Sequence, residues 1–237
     1  MIEWVTLTTE GIAAVDKRLP VIIPLGLVEA HGPHLPLSVD VECCAYFARR
    51  VAEESGAILA PVLPYGFADE MREYPGTIGL KAETLTHVIV DLSEMLCVHG
   101  FARQIFLSGH GANRMPVEMA FHRVWQNYRN LRAVYWNYWS AANLSGIHHA
   151  DQGETEIAMA VGLPVKMDRV KDFQVSKPWY SIRSRFELQP DSGGINGQPS
   201  LANPENGQRM RDEIVRILAG KVRNIIHLER NLVREQS

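Results

Sequence analysis

The stretch Gly26-Leu-Val-Glu-Ala-His-Gly-Pro-His-Leu-Pro-Leu-Ser-Val-Asp40 joins an apolar run to an amphipathic segment. Residues 19–25 before it are typical of a short buried strand, and residues 40–55 after it are typical of a helix. The joining loop contains four side chains that bind metals or transfer protons: Glu29, His31, His34 and Asp40. Because ligands of open α/β sheets bind at the carboxyl ends of the strands, the stretch predicts both a strand-loop-helix unit and a site.

Outward from this unit, apolar β-type runs alternate with helical stretches. Further strands are predicted at 57–63, 104–108 and 133–138, and further helices at 82–99, 116–128, 154–161 and 206–231. This alternation favours a parallel sheet covered by helices on both faces. No linker or repeat divides the chain, and residues 172–205 are expected to be irregular surface structure. We therefore predict one domain spanning residues 1–237.

Composition excludes several classes of function. The net charge of −3 gives no reason to expect a nucleic acid or an anionic membrane as a partner. The three cysteines (Cys43, Cys44 and Cys97) form no disulfide framework, and the first two are expected in a helix core. No signal peptide and no apolar run of membrane-spanning length is found, which predicts a cytoplasmic protein.

Three segments carry the candidate chemistry. They are the opening loop, then Ser108-Gly-His110-Gly-Ala-Asn113, then His148-His149-Ala-Asp151-Gln-Gly-Glu154-Thr-Glu156. All three are expected at the carboxyl edge of the sheet, where they could converge. Carboxylates mixed with imidazoles suit zinc, manganese or ferrous iron, and a bridging carboxylate would allow two ions to share the site. Two such ions lower the pKa of a bridging water and polarise a carbonyl group.

Each residue also has a structural alternative. Glu29 and His31 could be surface groups, His110 could cap the following helix, and Glu154 could be a favourable charge at a helix N-terminus. Four other histidines lie in helical stretches without such company and are interpreted as structural: His87, His99, His122 and His227. A serine nucleophile and a phosphate loop are disfavoured, because neither Gly-x-Ser-x-Gly nor a glycine-rich fingerprint is present.

Taken in order, these motifs resemble the creatininase (creatinine amidohydrolase) family. The resemblance rests on Glu29-Ala-His31-Gly-Pro-His-Leu-Pro with Asp40, Tyr65-Gly66, Tyr74-Pro-Gly-Thr77, Gly109-His110-Gly-Ala-Asn113 and His149 with Glu154-Thr155; Gly194-Ile-Asn-Gly197 before Asn206-Gly207 is a weaker match. It implies a three-layer α/β/α sandwich with a mostly parallel sheet. It also implies a hydrolase that cleaves the C–N bond of a cyclic amide or formamide with a hydroxide bridging two divalent metals.

The resemblance also implies roles for individual residues. Glu29 and His110 would hold one metal, His31 and Glu154 the other, and Asp40 would bridge both. His34 would hold no metal and would act in the loop or behind the ligands. Homo-oligomers built as hexamers, trimers of dimers, are typical of the family.

Other roles concern proton transfer and the substrate. His149 would act near the substrate, donating a proton or hydrogen-bonding the tetrahedral intermediate, and Glu154 would take part in catalysis. Asn113 would bind substrate or tie the turn. Trp139, with Trp136 and Tyr138, would wall the pocket or pack in the core. Asp151 adds a carboxylate beside the substrate site, where a glycine is more usual.

Departures from the family pattern bear on the substrate. Ala112 stands where creatininase has a glutamate, so the second metal depends on Glu154, and Ala68-Asp-Glu70-Met71 replaces Ser-x-Glu-His. The alternatives are a formamidopyrimidine-nucleotide deformylase, a peptide-trimming enzyme, an inosose ring-opening hydrolase and a catalytically dead metal-binding assembly protein. A phosphorylated substrate would need basic residues near the pocket, and the candidates are Arg72, Arg103 and Arg114.

Overall fold

Five parallel strands form the sheet of the computed structural model, which describes residues 1–68, 71–144, 146–175 and 190–234. Within these residues the sheet order is β1-β3-β2-β4-β5. The strands are β1 (Ile2–Glu3), β2 (Val21–Leu25), β3 (Ile58–Leu59), β4 (Arg103–Ser108) and β5 (Arg132–Asn137).

The helices follow the strands on both faces. They are α1 (Thr9–Ala14), α2 (Val39–Ser55), α3 (Ala82–Val98), α4 (Arg114–Asn127), α5 (Tyr138–Ala141), α6 (Gln152–Ala160) and α7 (Pro204–Arg234). Strand side chains alternate between two cores. Ile22 and Leu107 pack with α2, α6 and α7, whereas Ile23 and Phe106 pack with α1, α3 and α4. The predicted three-layer α/β/α architecture is confirmed.

The order of the strands creates a switch point between β2 and β4. The chain passes from β2 to β3 on one side and later returns to β4 on the other side. The two strands end together, because Leu25 is the register partner of Ser108. In doubly wound sheets the crevice outside such a pair of strand ends is the usual ligand site. The fold therefore brings the first two candidate segments together.

The predicted elements are present, with boundaries shifted by a few residues. The second predicted strand, 57–63, is reduced to β3, since Pro61 has no N–H to continue the ladder. The fourth ends at Asn137, where Tyr138 begins α5. The sequence did not predict β1 or α1. Residues 176–189 of the region expected to be irregular, and Glu70 of the departing motif, lie outside the described residues.

Cys43 and Cys44 are fully buried in α2, which confirms their assignment to a helix core. The four histidines interpreted as structural are all exposed on α3, at its end, on α4 or on α7. Among the described helices, none combines the length and the apolar character needed to span a bilayer.

Candidate metal centre

The opening loop places three ligand candidates inside the protein. Glu29, His31 and Asp40 are each at most 1% exposed. The Glu29 N–H donates to the carbonyl of Leu37 at 2.9 Å, which folds the loop back on itself. Asp40 lies in the first turn of α2, where the helix dipole stabilises a negative charge. The loop thus presents two carboxylates and an imidazole to one interior point.

The segment after β4 brings His110 to the same point. Gly109 allows this approach, because a Cβ at that position would lie 2.1 Å from the backbone oxygen of Asp40. The Ser108 hydroxyl accepts a hydrogen bond from the His110 N–H at 3.0 Å, and the Tyr135 hydroxyl donates to the His110 carbonyl at 2.8 Å. Backbone contacts on both sides therefore fix the position of the imidazole.

The third segment delivers Glu154 from the first turn of α6. Asp151 caps this helix: its Oδ1 accepts from the Glu154 N–H at 3.0 Å and its Oδ2 from the His148 N–H at 2.8 Å. The Glu154 Oε2 accepts from the Ala150 N–H at 2.5 Å. The capped turn holds the Glu154 carboxylate in a single orientation, pointing to the opening loop.

The three segments converge on Asp40. Its Oδ2 lies 3.3 Å from His110 Nδ1 and its Oδ1 lies 3.2 Å from His31 Nε2. Glu29 Oε2 lies 3.0 Å from His110 Nδ1, and Glu154 Oε2 lies 3.5 Å from His31 Nε2. Three groups of potential ligand atoms each fit within 4.8 Å: Glu29 with Asp40 and His110, His31 with Asp40 and Glu154, and Glu29 with His31 and His149. Asp40 belongs to the first two groups.

Buried polar atoms at this point have no hydrogen-bond partner among the described residues. They include Glu29 Oε2, His31 Nε2 and Asp40 Oδ2. Leaving such atoms unsatisfied costs about 1–3 kcal/mol each, and more when they are charged. A divalent cation bound between carboxylate oxygens and imidazole nitrogens would satisfy all three. The residues present therefore fit a metal centre.

The imidazoles of His31 and His149 are oriented by backbone carbonyls. His31 Nδ1 lies 3.0 Å from the Glu29 carbonyl oxygen, and His149 Nε2 lies 2.8 Å from that of Ala30. Because a carbonyl only accepts, these nitrogens carry protons, and His31 Nε2 and His149 Nδ1 are the ring atoms that face the carboxylates. The two rings are 4.4 Å apart between centroids. His149 Nδ1 lies 3.7 Å from Glu29 Oε2, and its side chain is 20% exposed, at the mouth of the centre.

The buried carboxylates and imidazoles shift one another's pKa values. Burial by itself lowers the pKa of His31, but the charges of Glu154 and Asp40 raise this pKa well above its ordinary value. Burial also lowers the pKa of His110, but Glu29 and Asp40 outweigh burial and raise this pKa well above its ordinary value. The imidazoles hold the pKa of the Asp40 carboxyl below its usual range despite burial. The centre thus attracts positive charge.

Some predicted site residues make structural contacts instead. Asn113 is fully buried: its Oδ1 accepts from the Phe67 N–H at 2.8 Å, and its Nδ2 donates to the Gly26 carbonyl at 3.3 Å. Asp151 is the cap of α6, and burial raises its pKa to about 6. The polar atoms of both residues hold the loops together, and their substrate-binding roles stay predictions. For Asn113 the turn alternative describes the contacts.

The two aromatic residues that follow β5 also make structural contacts. Tyr138 is fully buried in the core, and Trp139, half-buried, packs against the same core cluster. Core packing therefore describes these contacts, and the pocket-wall role of Trp139 stays a prediction.

His34 is buried behind the candidate ligands, with Nε2 3.0 Å from the Thr155 hydroxyl oxygen. This agrees with its assignment to a position without metal.

Sequence reasoning missed several supporting residues. Thr77 accepts the Ala30 N–H at 3.1 Å and so braces the opening loop, and its Pro-Gly-Thr motif was the available signal. Tyr135 lies on β5 and carried no signal, since only strand pairing brings it to His110. Of the basic candidates, Arg103 begins β4, at the end of the sheet opposite to the candidate ligands. Arg114 follows Asn113 at the start of α4 and is 70% exposed beside Glu118.

A parallel α/β sheet with carboxylates and imidazoles gathered at a switch point defines a class, the metal-dependent hydrolases of the α/β type. Comparison with known proteins gives the family. The family model "Creatininase: Creatinine amidohydrolase" matches residues 6–222. The chain belongs to this family and is a metal-dependent amidohydrolase.

Individual relatives agree with the family assignment. A creatinine amidohydrolase from Pseudomonas putida is 25% identical over 228 residues, covering 85% of this chain and 88% of that protein. A mycofactocin precursor peptide peptidase from Mycobacterium ulcerans is 29% identical over 209 residues, covering 82% of this chain and 81% of that protein. A solved mutant creatininase of the Zn-Zn type superposes with a TM-score of 0.85 at 25% identity, covering 94% of this chain and 97% of that chain.

Proposed function

We propose that this amidohydrolase cleaves the C–N bond of a cyclic amide or formamide small molecule at two divalent metal ions. One observation carries the proposal: the two oxygens of Asp40 face imidazoles from different segments, His31 at 3.2 Å and His110 at 3.3 Å. A carboxylate placed in this way can serve two ions at once. The buried atoms without hydrogen-bond partners support the same conclusion.

In this proposal Glu29, Asp40 and His110 hold one ion, and His31, Asp40 and Glu154 hold the other. The ions supply Lewis acidity, which polarises a substrate carbonyl and lowers the pKa of a water molecule to near neutrality. Nitrogen and oxygen donors without thiolates suit zinc, manganese or iron. The protein contributes a rigid set of donors, since every segment is tied to its neighbours by backbone hydrogen bonds.

His149 is the proposed proton carrier. Its Nε2–H is held by the Ala30 carbonyl, so Nδ1 is the atom that exchanges a proton at the mouth of the centre. Amide cleavage needs a proton on the departing nitrogen, and in this proposal the imidazole at the mouth supplies it. The Ala150 N–H holds the Glu154 carboxylate, whose negative charge lies 3.5 Å from His31 Nε2 and helps to orient that imidazole.

The substrate class has a second candidate. The relative from Mycobacterium ulcerans is a precursor peptide peptidase, and a peptide bond is also an amide C–N bond. A panel of creatinine, other cyclic amides, a formamidopyrimidine nucleotide, an inosose and a short peptide, assayed with zinc, manganese and iron, separates these activities. Turnover of a cyclic amide or formamide is the expected result, and turnover of the peptide or the inosose alone would contradict the proposed substrate class.

We further propose a cytoplasmic homo-oligomer, with a hexamer built as a trimer of dimers as the expected state. Large apolar side chains are exposed on α3 and α4, which pack against each other: Leu92, Met95, Val98, Met115, Met119 and Trp125. Exposed apolar surface of this kind supports association. Light scattering coupled to gel filtration measures the mass directly, and a monomer at micromolar concentration would contradict the oligomer.

The shared role of Asp40 is tested by substitution. Asp40→Ala is expected to abolish binding at both ion sites and to reduce turnover to background, because it removes a donor from each group. Glu42→Ala is the matched control, an exposed carboxylate two residues along the same helix. Metal content by elemental analysis and turnover on the panel are measured together. An Asp40→Ala protein with full metal content and full activity would refute the proposed centre.

A further inference from the structure

A basic cavity lies at the amino edge of the sheet, where the strands begin, opposite to the metal centre. Its volume is about 440 Å³. Five of its nine described lining residues are cationic, and none of the nine is acidic: the cations are Lys17, Arg18, Arg103, Arg129 and Arg132. Since the whole chain has a net charge of −3, this concentration of positive charge is a local feature.

Two of the arginines are placed side by side by the sheet. Arg103 begins β4 and Arg132 begins β5, and the two are register partners in the parallel ladder. Register partners project on the same face of a sheet, so both side chains leave it on the same side. The ladder therefore sets two of the cationic residues of the lining next to each other.

The other cations are positioned largely by neutral groups. Lys17 Nζ donates to the Ile12 carbonyl at 2.6 Å and lies 4.2 Å from the centroid of the Phe101 ring. The Arg129 guanidinium lies 4.2 Å from the centroid of the Trp125 ring. A carbonyl and an aromatic face orient a cation but leave its charge in place. Arg18 differs, since it forms an ion pair with Asp16 at 2.8 Å.

The size and chemistry of the cavity indicate the kind of ligand. A volume of 440 Å³ falls in the range of small-molecule sites, which is about 300–1,000 Å³, and exceeds what a lone phosphate ion fills. Guanidinium groups match the oxygens of phosphate in pairs of parallel hydrogen bonds. A concave site on an acidic chain favours a small anion over a nucleic acid, which needs an extended basic surface.

We infer that the cavity lined by Lys17, Arg18, Arg103, Arg129 and Arg132 binds a phosphorylated small molecule at a site separate from the metal centre. The whole of β4 lies between the two sites, since Arg103 is its first residue and His110 follows its last. The inference is independent of the proposed reaction. Either can fail without the other.

Calorimetric titration of the purified metal-loaded protein with ribose 5-phosphate tests the site, with ribose as the uncharged control ligand. Saturable binding of ribose 5-phosphate and none of ribose is expected. The double variant Arg18→Gln/Arg129→Gln removes two exposed cations from the lining and should weaken binding about tenfold or more. Arg216→Gln, an exposed arginine on α7, is the control for loss of charge and should leave binding unchanged.

The Asp40→Ala variant separates this cavity from the metal centre. It should bind ribose 5-phosphate as the wild type does. Loss of binding in Asp40→Ala would place the ligand at the metals and overturn the inference. The inference also fails if the wild type does not bind at millimolar ligand, or if the double variant binds with unchanged affinity while its thermal unfolding midpoint is normal.

Discussion

Single residues decide how the metal centre is held. Asp40 faces two imidazoles at 3.2 and 3.3 Å, and its neighbours Glu29 and Glu154 add further negative charge within the same buried volume. Such a group of carboxylates is costly to bury unless positive charge joins it. Residues outside the proposed ligand set matter as well, because their hydrogen bonds hold the three segments of the proposed centre together.

Asn113 is the clearest of these ties. Asn113→Ala would leave the Phe67 N–H and the Gly26 carbonyl without their side-chain partner. We expect a loss of about 1–3 kcal/mol in the free energy of unfolding. Urea denaturation measures it, with KM for the substrate identified from the panel as a second readout.

Asn127→Ala is the matched control, because Asn127 is exposed on α4 and makes a single surface contact of 3.4 Å with Glu94. Its unfolding free energy should stay within about 0.5 kcal/mol of the wild type. A large rise in KM for Asn113→Ala with unchanged stability would support the substrate-binding role instead.

Elements are joined at a seam between α6 and α7. Glu156, buried on α6, accepts the Asn203 N–H at 3.0 Å with Oε1 and an amide hydrogen of Asn206 with Oε2. Gly207 lets α7 approach, since a Cβ there would lie 2.1 Å from the Glu156 backbone oxygen. The Asn-Gly pair noted in the sequence therefore packs a helix against the one that carries Glu154.

Gly207→Ala is expected to destabilise the protein by about 1–3 kcal/mol, because the methyl group forces the two helices apart. Gly220→Ala on the same helix meets no atom within 4 Å and should stabilise the protein by about 0.5–1 kcal/mol. Chemical denaturation of both variants measures the difference. Equal effects of the two substitutions would show that the close approach at Gly207 is not needed.

At the scale of the whole molecule, the proposed metal centre joins three segments that are far apart in sequence. Ion binding to the native state alone stabilises it by mass action, by about 2.7 kcal/mol at a free metal concentration 100 times the Kd. Removing metal with a chelator should lower the midpoint of thermal unfolding, and added zinc or manganese should restore it. An unfolding midpoint that changes neither with the chelator nor with added metal would contradict a metal site within the folded core. Asp40→Ala is the control, since its midpoint should not respond to metal.

Much of the architecture was predictable from the chain alone. Continuous apolar runs predicted the main strands and helical periodicity the main helices, since these patterns follow from local geometry. The short elements β1 and α1 were not predicted: β1 is two residues paired with β3, and α1 is six residues begun by a Thr8 cap, too short for a clear periodic pattern. That residues 1–237 form one domain stays a prediction.

The sequence by itself determined which chemical groups are available: the residue types, their order and the strand ends that they follow. Only the tertiary structure decided which of them meet. It placed Glu29, His31, Asp40, His110 and Glu154 around one point, kept Asn113 and Asp151 for backbone hydrogen bonds, and carried Arg103 to the opposite edge of the sheet. The physical reason is that side-chain identity is local, whereas distance across a sheet is set by strand order and register, which no short stretch of sequence encodes.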